Sequence, residues 1–285
     1  MDRAVELLDG LPPMGAAFAR ALVPSRAAEV HLPAHAVRVE GIRQDPDRYA
    51  EYSRVCGYTL RDTVPATWIH VLTFPLHVAL LGDRRSTVRL VGAVHTANVM
   101  TMRRAVGVDE PLSLQVHLEN LRPHARGALL DLVGRAEVDG ETVWEGVSTY
   151  LASGAHVPGE PGASSHEPWE PVAPVARWRL AADLGRRYRR VSQDPNPIHT
   201  SRVAARAFGF ARPIIHGMWT HARAMAALEG RLPEAHRAEA AFVRPVLLPA
   251  TVGLAVSPND EGLRLAVTTK DGAKPHVIMG TGPAR

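Results

Sequence analysis

The sequence lacks most features of a secreted or membrane-anchored protein. Cys56 is the only cysteine among its 285 residues, so no disulfide can form within the chain, and we expect Cys56 to be a small buried filler. No stretch approaches the roughly 20 consecutive apolar residues that a transmembrane helix needs. Acidic residues come early and Pro12-Pro13 interrupts the first apolar run, unlike a signal peptide. We therefore expect a cytoplasmic protein that does not enter a membrane.

Aromatic residues and excess charge are also scarce. Only 5% of the residues are Phe, Trp or Tyr, so the core must be built mainly from Val, Leu, Ala and Ile. The formal net charge of +4 is too small to indicate nucleic-acid binding. Apolar residues make up 46% of the chain and charged residues 22%, which is ordinary for a globular protein. The length is sufficient for two modest domains.

Hydrophobic periodicity predicts helices followed by an antiparallel meander in the first half. Residues 1–30 mix Leu and Ala with charge, which favours one or two short amphipathic helices. Residues 112–118 alternate apolar and polar side chains, as a half-buried strand does. Asp139-Gly140 is a favoured hairpin turn between two further strands. The later helices are predicted at 45–56 and 65–81, and the strands at 112–118, 128–138 and 141–151.

The second half repeats this plan after a segment with little to bury. Residues 154–171 are rich in Gly, Pro, Ser and Glu, which is typical of a linker. This linker divides the chain into predicted domains at 1–153 and 172–285. The predicted strands of the second domain lie at 175–180, 240–247, 251–257, 262–270 and 274–280, and its predicted helices at 183–192, 201–208 and 217–228.

The stretch Ser192–Met218 carries the residue types of an acid/base site. The prolines of Asp194-Pro195-Asn196-Pro197 fix their own φ and push the preceding residues toward extended backbone. A carboxylate, Asp194, and an imidazole, His199, are therefore expected on a stiff, non-helical loop. Gly217 begins a later apolar helix, where free N–H groups favour negative charge. The stretch thus offers acid/base groups and a backbone oxyanion donor.

The same stretch resembles the MaoC-like, (R)-specific enoyl-CoA hydratase family. The resemblance lies in the pattern D-x-N-P-x-H, followed by A, G-F, P-I and H-G-M at these distances. It implies an α+β double hot-dog fold, in which each antiparallel sheet wraps around a central helix. The chain departs from the family pattern at Gln193, where a small glycine is usual, and at Ser201, where an acidic residue is usual. Neither is a catalytic position.

The two halves look like diverged copies. Trp68-Ile69-His70-Val71 is expected in the place of Ile214-Ile215-His216-Gly217, and Arg104 in the place of Arg244. The first half has no D-x-N-P-x-H. The resemblance therefore implies a degenerate N-terminal domain that helps to form the acyl-chain cavity, and a catalytic C-terminal domain.

The resemblance also implies the chemistry. Asp194 and His199 would act together on one water, interconverting (3R)-3-hydroxyacyl and trans-2-enoyl thioesters of coenzyme A or acyl carrier protein. The Gly217 N–H would polarise the thioester carbonyl. No metal or other cofactor is expected. His216 and His221 lack the H-E-x-x-H spacing of a metal pair.

Three further residues are predicted on the substrate side of the site: Asn196, Ser192 and His216. Asn196 is also expected to lock the loop by bonding its backbone. His216 is expected to hold the start of the helix rather than to catalyse. Ser192 lacks a G-x-S-x-G elbow, so a hydrolytic Ser-His-Asp triad is not favoured.

Alternatives remain open at this point. A hot-dog thioesterase would direct water at the carbonyl, and a non-catalytic protein would only bind acyl thioesters. The basic run Arg186, Arg187, Arg189 and Arg190 is either a solvated helix face or an attraction for coenzyme A phosphates or an acidic acyl carrier protein. A homodimer is a further option, because fusing two domains does not prevent two chains from pairing.

Overall fold

The structure is a computed structural model, and it describes residues 3–21, 30–88, 93–162 and 169–284. The elements of the first half are β1 (Val5–Leu8), α1 (Met14–Ala21), β2 (Ala36–Ile42), α2 (Pro46–Cys56), α3 (Ala66–Leu81), β3 (Ala93–Met102), β4 (Leu112–His124), β5 (Gly127–Val138) and β6 (Glu141–Ser153). Those of the second half are β7 (Ala176–Leu180), α4 (Leu184–Ser192), a 3-10 turn (Pro197–His199), α5 (Arg202–Ala207), α6 (Gly217–Ala226), β8 (His236–Phe242), β9 (Ala250–Pro258), β10 (Leu263–Thr269) and β11 (Pro275–Pro283).

The described strands form one sheet that contains the same strand order twice. The first half contributes the order β2-β4-β5-β6-β3, and the second half contributes β7-β9-β10-β11-β8. The strands β2 and β7, which precede α2 and α4, lie at the outer side of their halves. The strands β3 and β8, which follow α3 and α6, lie at the inner side. The halves join where β3 and β8 pair antiparallel, with Val99 opposite Glu239. The repeated plan predicted for the two halves is therefore present in their topology.

The long helix of each half packs on its own strands because its side chains are apolar. Nearly all of α3 is buried, and the helix contacts β2, β3, β4, β5 and β6. The helix α6 contacts β10 and β11 in the same way and also contacts α3. On β4 the alternating residues Leu112, Leu114, Val116 and Leu118 are almost completely buried, which confirms the predicted period.

Local signals predicted several boundaries correctly. Asp45 caps α2, since its carboxylate accepts from two backbone N–H groups of the first turn, and Gly57 ends the helix with a φ of 80°. Asp139 and Gly140 have φ values of 49° and 82° between β5 and β6. Positive φ at both positions is the type I′ hairpin geometry that the sequence indicated.

Other predictions were wrong. Residues 5–8 form a strand, because they pair in parallel with β2 and tertiary context decides such short segments. The strand predicted at 240–247 runs from His236 to Phe242. It ends there because the N–H groups of Val243 and Arg244 both turn to the carbonyl of His276. The strands β2 and β3 were not predicted. Residues 22–29 and 163–168, which belong to the predicted N-terminal helices and the linker, lie outside the described residues.

The two copies align in a different register from the predicted one. Thr63 bridges Gly107 and Ile214 bridges Leu247, so the segments leading into α3 and α6 correspond at these points. The residue before each helix is then Pro65 in the first half and His216 in the second. His70 consequently corresponds to His221, and the predicted match between His70 and His216 is wrong. The prediction compared short strings of similar residues, whereas the structure compares helix starts.

Within the described residues, no helix combines the length and the hydrophobicity that crossing a membrane would require.

Candidate active site

The loop that follows α4 begins with a left-handed residue. Gln193 has a φ of 59°, and its N–H donates to the carbonyl of Arg189 at 2.8 Å, which ends the helix. This conformation costs a non-glycine residue roughly 1–2 kcal/mol. The left-handed conformation explains why a glycine would suit this position, and Gln193 adopts that conformation here.

Asp194 uses one carboxylate oxygen to organise the loop. Its Oδ1 accepts from the Asn196 N–H at 2.9 Å, while its own N–H donates to Ser192 Oγ at 3.3 Å. Asn196 Oδ1 in turn accepts from the Ile198 N–H at 3.3 Å. The described bonds of Ser192 and Asn196 thus stabilise the loop backbone. The second carboxylate oxygen of Asp194, Oδ2, faces two imidazoles.

The first imidazole is that of His199, which is buried at the end of the 3-10 turn. Its Nδ1 lies 2.8 Å from the carbonyl of Ile214. A carbonyl only accepts, so Nδ1 carries the proton and Nε2 presents a lone pair when the ring is neutral. His199 Nε2 lies 3.9 Å from Asp194 Oδ2. The two predicted acid/base residues therefore face each other.

The second imidazole is that of His216, the residue before α6. Its ring stacks on His199 with centroids 3.6 Å apart, and its Nε2 lies 3.7 Å from Asp194 Oδ2. Its side chain makes no capping hydrogen bond, which contradicts the prediction that it holds the helix start. Tyr188 of α4 packs against the other side, at 4.9 Å between ring centroids. The ring of His216 is therefore part of the same cluster as Asp194 and His199.

Burial keeps both imidazoles neutral. It lowers the pKa of His199, although the charge of Asp194 opposes the shift. It lowers the pKa of His216 well below its ordinary value, and His199 lowers that pKa further. Near neutral pH the site therefore holds two uncharged rings beside one carboxyl group, and His199 Nε2 can accept a proton.

Gly217 is the first residue of α6, so its N–H has no acceptor within the helix. The ring of Phe242 from β8 lies directly over it. A Cβ added at Gly217 would meet Cδ1 and Cε1 of Phe242 at 3.0 Å each. The close ring explains the need for a glycine at this helix start.

The three side chains Asp194, His199 and His216 come close enough to raise the question of a metal. Their ligand atoms all lie within 4.8 Å of one another. However, the two rings are inclined by only 24° with centroids 3.6 Å apart. A metal ion must lie close to the plane of each imidazole that binds it. Nearly parallel stacked rings cannot both meet this condition, so the observed arrangement does not suit a single ion.

The first half also contributes residues near the site, which the sequence did not indicate. His95 of β3 stacks on Tyr150 of β6, with centroids 4.5 Å apart and the planes inclined by 4°. The same His95 ring lies 4.9 Å from that of Phe242, which covers Gly217. Burial raises the pKa of Tyr150, and the charge of Asp194 raises it further. No local motif marks these residues, because only the pairing of β3 with β8 brings them here.

Comparisons with known proteins agree with this architecture. Residues 163–276 match the family described as MaoC like domain. The chain is 38% identical over 247 residues to 3-hydroxyacyl-thioester dehydratase X of Mycobacterium tuberculosis, covering 86% of this chain and 88% of that protein.

Solved structures give the same result. A crystal structure of HtdX from Mycobacterium tuberculosis superposes with a TM-score of 0.78 at 35% identity, covering 87% of this chain and 100% of that one. Another protein of Mycobacterium tuberculosis, described as having a double hotdog fold, gives a TM-score of 0.51 at 12% identity, covering 92% of this chain and 96% of that one. The α+β double hot-dog fold predicted from the sequence is confirmed.

Proposed function

This chain belongs to the MaoC-like family of hydratases and dehydratases, and we propose that it interconverts (3R)-3-hydroxyacyl and trans-2-enoyl thioesters as a lyase. The observation that supports this most directly is the approach of Asp194 Oδ2 to His199 Nε2 at 3.9 Å. This separation is too long for a direct hydrogen bond. It is suitable for one water molecule that bonds to both groups.

The proposed hydration needs one proton transfer through this pair. As the water oxygen bonds to C3, the C2–C3 π electrons move toward the thioester oxygen, and Asp194 and His199 take one proton from the water. The enolate then returns its electrons to C2, which receives that proton from the pair. The other water proton stays on the new hydroxyl group. Dehydration follows the same steps in reverse.

Two features of the loop support these roles. The Nδ1–H of His199 is bonded to the Ile214 carbonyl, so Nε2 is the nitrogen that faces Asp194 and can exchange the proton. The Gly217 N–H, at the positive end of α6, is suited to stabilise the enolate oxygen. Ser192, Asn196 and His216 are proposed to border the substrate while they shape the loop.

The test is to replace each acid/base residue and to measure two reactions. We expect Asp194→Asn and His199→Ala each to lower kcat by about 10²–10⁴-fold, the usual contribution of a positioned acid/base group. The readout is the change in enoyl-thioester absorbance with crotonyl-CoA and longer enoyl thioesters. Free thiol is measured in parallel, since release of thiol without loss of the double bond would indicate a thioesterase instead.

Matched controls lie nearby. Asp183→Asn makes the same chemical change just before α4, where the side chain gives no capping bond, and His156→Ala removes an exposed histidine. Both should retain wild-type rates. If Asp194→Asn and His199→Ala retain them as well, the proposed catalytic roles are wrong.

The domain boundaries and the cellular setting are proposed on separate grounds. The repeated strand order supports domains at 1–153 and 172–285, joined by the linker at 154–171. The substrate would be an acyl thioester of coenzyme A or of acyl carrier protein.

Cytoplasmic location is proposed because the lone Cys56 is buried and reduced. A homodimer stays a prediction, and light scattering of the purified protein would decide it.

A further inference from the structure

Beside the proposed site lies a group of imidazoles that the acid/base mechanism does not use; three of them are buried and His95 is partly buried. We call His70, His77, His95 and His221 the histidine cluster. The ring of His70 lies 5.5 Å from that of His77 and 6.1 Å from that of His95, measured between centroids. His221 is fully buried on α6, the helix that packs against α3. It lies close enough to the other rings that His70 lowers the pKa of His221 and His221 lowers the pKa of His95. The histidine cluster therefore joins both central helices and β3.

In the part of the chain that the structure describes, five of the eight ring nitrogens of the histidine cluster have no hydrogen-bond partner, whereas His77 Nε2 lies 3.5 Å from Thr73 Oγ1 and His95 bonds to the backbone of Ala97. Among the described residues, none offers a hydrogen-bond partner to Nδ1 of His70, to Nδ1 of His77, to Nε2 of His95 or to either nitrogen of His221. Leaving a buried polar group unpaired is unfavourable, because the group loses its hydrogen bonds to water and gains none in return. Several such groups in one place are unusual in a core and indicate a site for a hydrogen-bonding ligand.

The rings are neutral, so the partner need not be an anion. Burial lowers the pKa of His70 to about 4 and that of His221 to about 3. A neutral imidazole has one N–H donor and one acceptor nitrogen. It therefore matches a hydroxyl group, which both donates and accepts, or a keto oxygen, which accepts.

The histidine cluster adjoins the site on the side provided by the first half. His95 touches Phe242, and Phe242 covers Gly217, the proposed donor to the thioester oxygen. From His95 the cluster continues inward to His70 and His77. An acyl chain that extends from Gly217 past Phe242 into the molecule would meet these rings.

The helix that carries two of these rings contains a local weakness. Pro75 lies inside α3 between His70 and His77. Because proline has no N–H, the carbonyl of Val71 lacks its normal helical partner. The hydrogen-bond ladder of α3 is therefore interrupted between the two rings.

A metal is not the better explanation. Across the described part of the chain, the only group of three close metal-ligating side chains is Asp194, His199 and His216. The rings of His70 and His77 meet edge to face at 84°, an aromatic packing arrangement. Organic hydrogen-bonding groups fit these observations better.

We propose that the histidine cluster forms the far wall of the acyl pocket and selects thioesters whose acyl chain carries a hydroxyl or keto oxygen beyond C3. This inference rests on the proposed function, and it specifies the substrate class of that same site. A plain alkyl chain would leave the buried nitrogens unpaired. An oxygen at the right carbon would form a hydrogen bond with at least one of them.

The experiment compares trans-2-enoyl-CoA substrates of equal chain length. One series carries no further substituent, and the other carries a single hydroxyl group at successive carbons beyond C3. We expect kcat/KM to be about tenfold higher for at least one hydroxylated position than for the plain chain. Equal or lower values at every position would overturn the inference.

Variants test whether the histidine cluster causes the preference. We expect His70→Leu and His77→Leu to reduce the ratio of the two kcat/KM values toward one, while His156→Leu, at an exposed site, leaves the ratio as in the wild type. The ratio is independent of how much protein is folded. A ratio unchanged in both cluster variants overturns the inference. If no thioester of either series reacts, the proposed function itself fails, whereas equal turnover of both series removes only the inference.

Discussion

At the scale of single residues, the two carboxylate oxygens of Asp194 make different contacts. One carboxylate oxygen holds the Asn196 N–H, and the other faces His199 and His216. A side chain fixed in this way does not need to reorient before reaction. The loop prolines contribute to the same end, because they remove backbone freedom that the catalytic geometry would otherwise have to overcome.

The lowered pKa of His199 predicts the acid side of the pH–rate profile. The neutral ring is the form that accepts a proton, and burial makes this form persist below the ordinary pKa of about 6.5. We expect kcat/KM to be sustained as the pH falls through 6.5 and to decline only below it. Steady-state rates with crotonyl-CoA, measured in overlapping buffers, give the inflection. A decline already centred above about 6.5 would contradict this expectation.

The close contact between Gly217 and Phe242 leads to a prediction about stability. In Gly217→Ala the new Cβ would lie 3.0 Å from the ring of Phe242, so the ring or the start of α6 must move. We expect a loss of about 1–3 kcal/mol in the free energy of unfolding, the usual cost of overpacking. Urea denaturation measures it.

The partner variant of this experiment is Phe242→Leu. A smaller side chain leaves space for the added methyl group, so the double variant should be more stable than the sum of the two single effects predicts. Strict additivity of the two changes would show that the ring does not explain the glycine.

At the scale of elements, α4 presents arginine toward solvent beside the loop that carries Asp194 and His199. Arg186, Arg189 and Arg190 are exposed, and the ion pairs found in the described part of the chain do not involve them. Exposed positive charge of this kind would attract the phosphates of coenzyme A or an acidic carrier protein, if either is the proposed substrate's carrier. We expect Arg186→Glu with Arg190→Glu to raise KM for enoyl-CoA several-fold with little change in kcat.

Salt provides the internal check on this prediction. The KM of the wild type should rise with ionic strength, because exposed charges are screened, and the double variant should lose this dependence. Arg61→Glu is the control, since Arg61 is exposed on the loop between α2 and α3 in the first half. A salt-independent KM in the wild type would mean that the α4 arginines only face solvent.

Comparison of the elements also explains why one half has no acid. Gly57 after α2 and Gln193 after α4 are both left-handed helix caps, so they occupy corresponding positions. The next residue is Tyr58 in the first half and Asp194 in the second. The phenol of Tyr58 is bonded to Thr67 Oγ1 at 3.0 Å. A bonded phenol at this position cannot replace a carboxylate as base.

The sequence was informative where local chemistry decides the backbone. Proline and the hairpin dipeptide each restrict nearby dihedral angles, so the non-helical backbone at 194–196 and the turn at Asp139 could be predicted. The 3-10 turn Pro197–His199 contradicts the expectation that the loop is non-helical as far as His199. The strand at 5–8 and the pairing of His95 with Tyr150 depend on residues far away in the chain. No local pattern specifies such contacts, which is why His95 and Tyr150 were not among the residues predicted near the site.

At the scale of the whole molecule, the histidine cluster links stability to pH. The pKa of His70 is lowered to about 4 and that of His221 to about 3, whereas both would be near 6.5 in the unfolded chain. The unfolded chain therefore binds more protons below pH 6.5. The stabilisation is complete above about pH 6.5 and is lost as the pH falls toward the folded values.

We expect the free energy of unfolding to fall by at least about 1.4 kcal/mol between pH 6 and pH 5. Urea denaturation at a series of pH values measures the slope. His77 and His95 face the same interior and are shifted in the same direction, so they add to it. His70→Leu should make the slope shallower. A flat stability curve between pH 6.5 and pH 5 would contradict the neutral, buried state of these rings.

The antiparallel contact between β3 and β8, from Ala97 opposite Ala241 to Met102 opposite His236, has a consequence for how such a chain can be divided. Each repeat completes the hydrogen-bond ladder of the other, and the first repeat also places His95 and Tyr150 beside the proposed site. The two repeats therefore depend on each other. If the chain were cleaved in the linker and the halves were separated, each half would have an unpaired edge strand, and neither would contain all the residues that surround the proposed site.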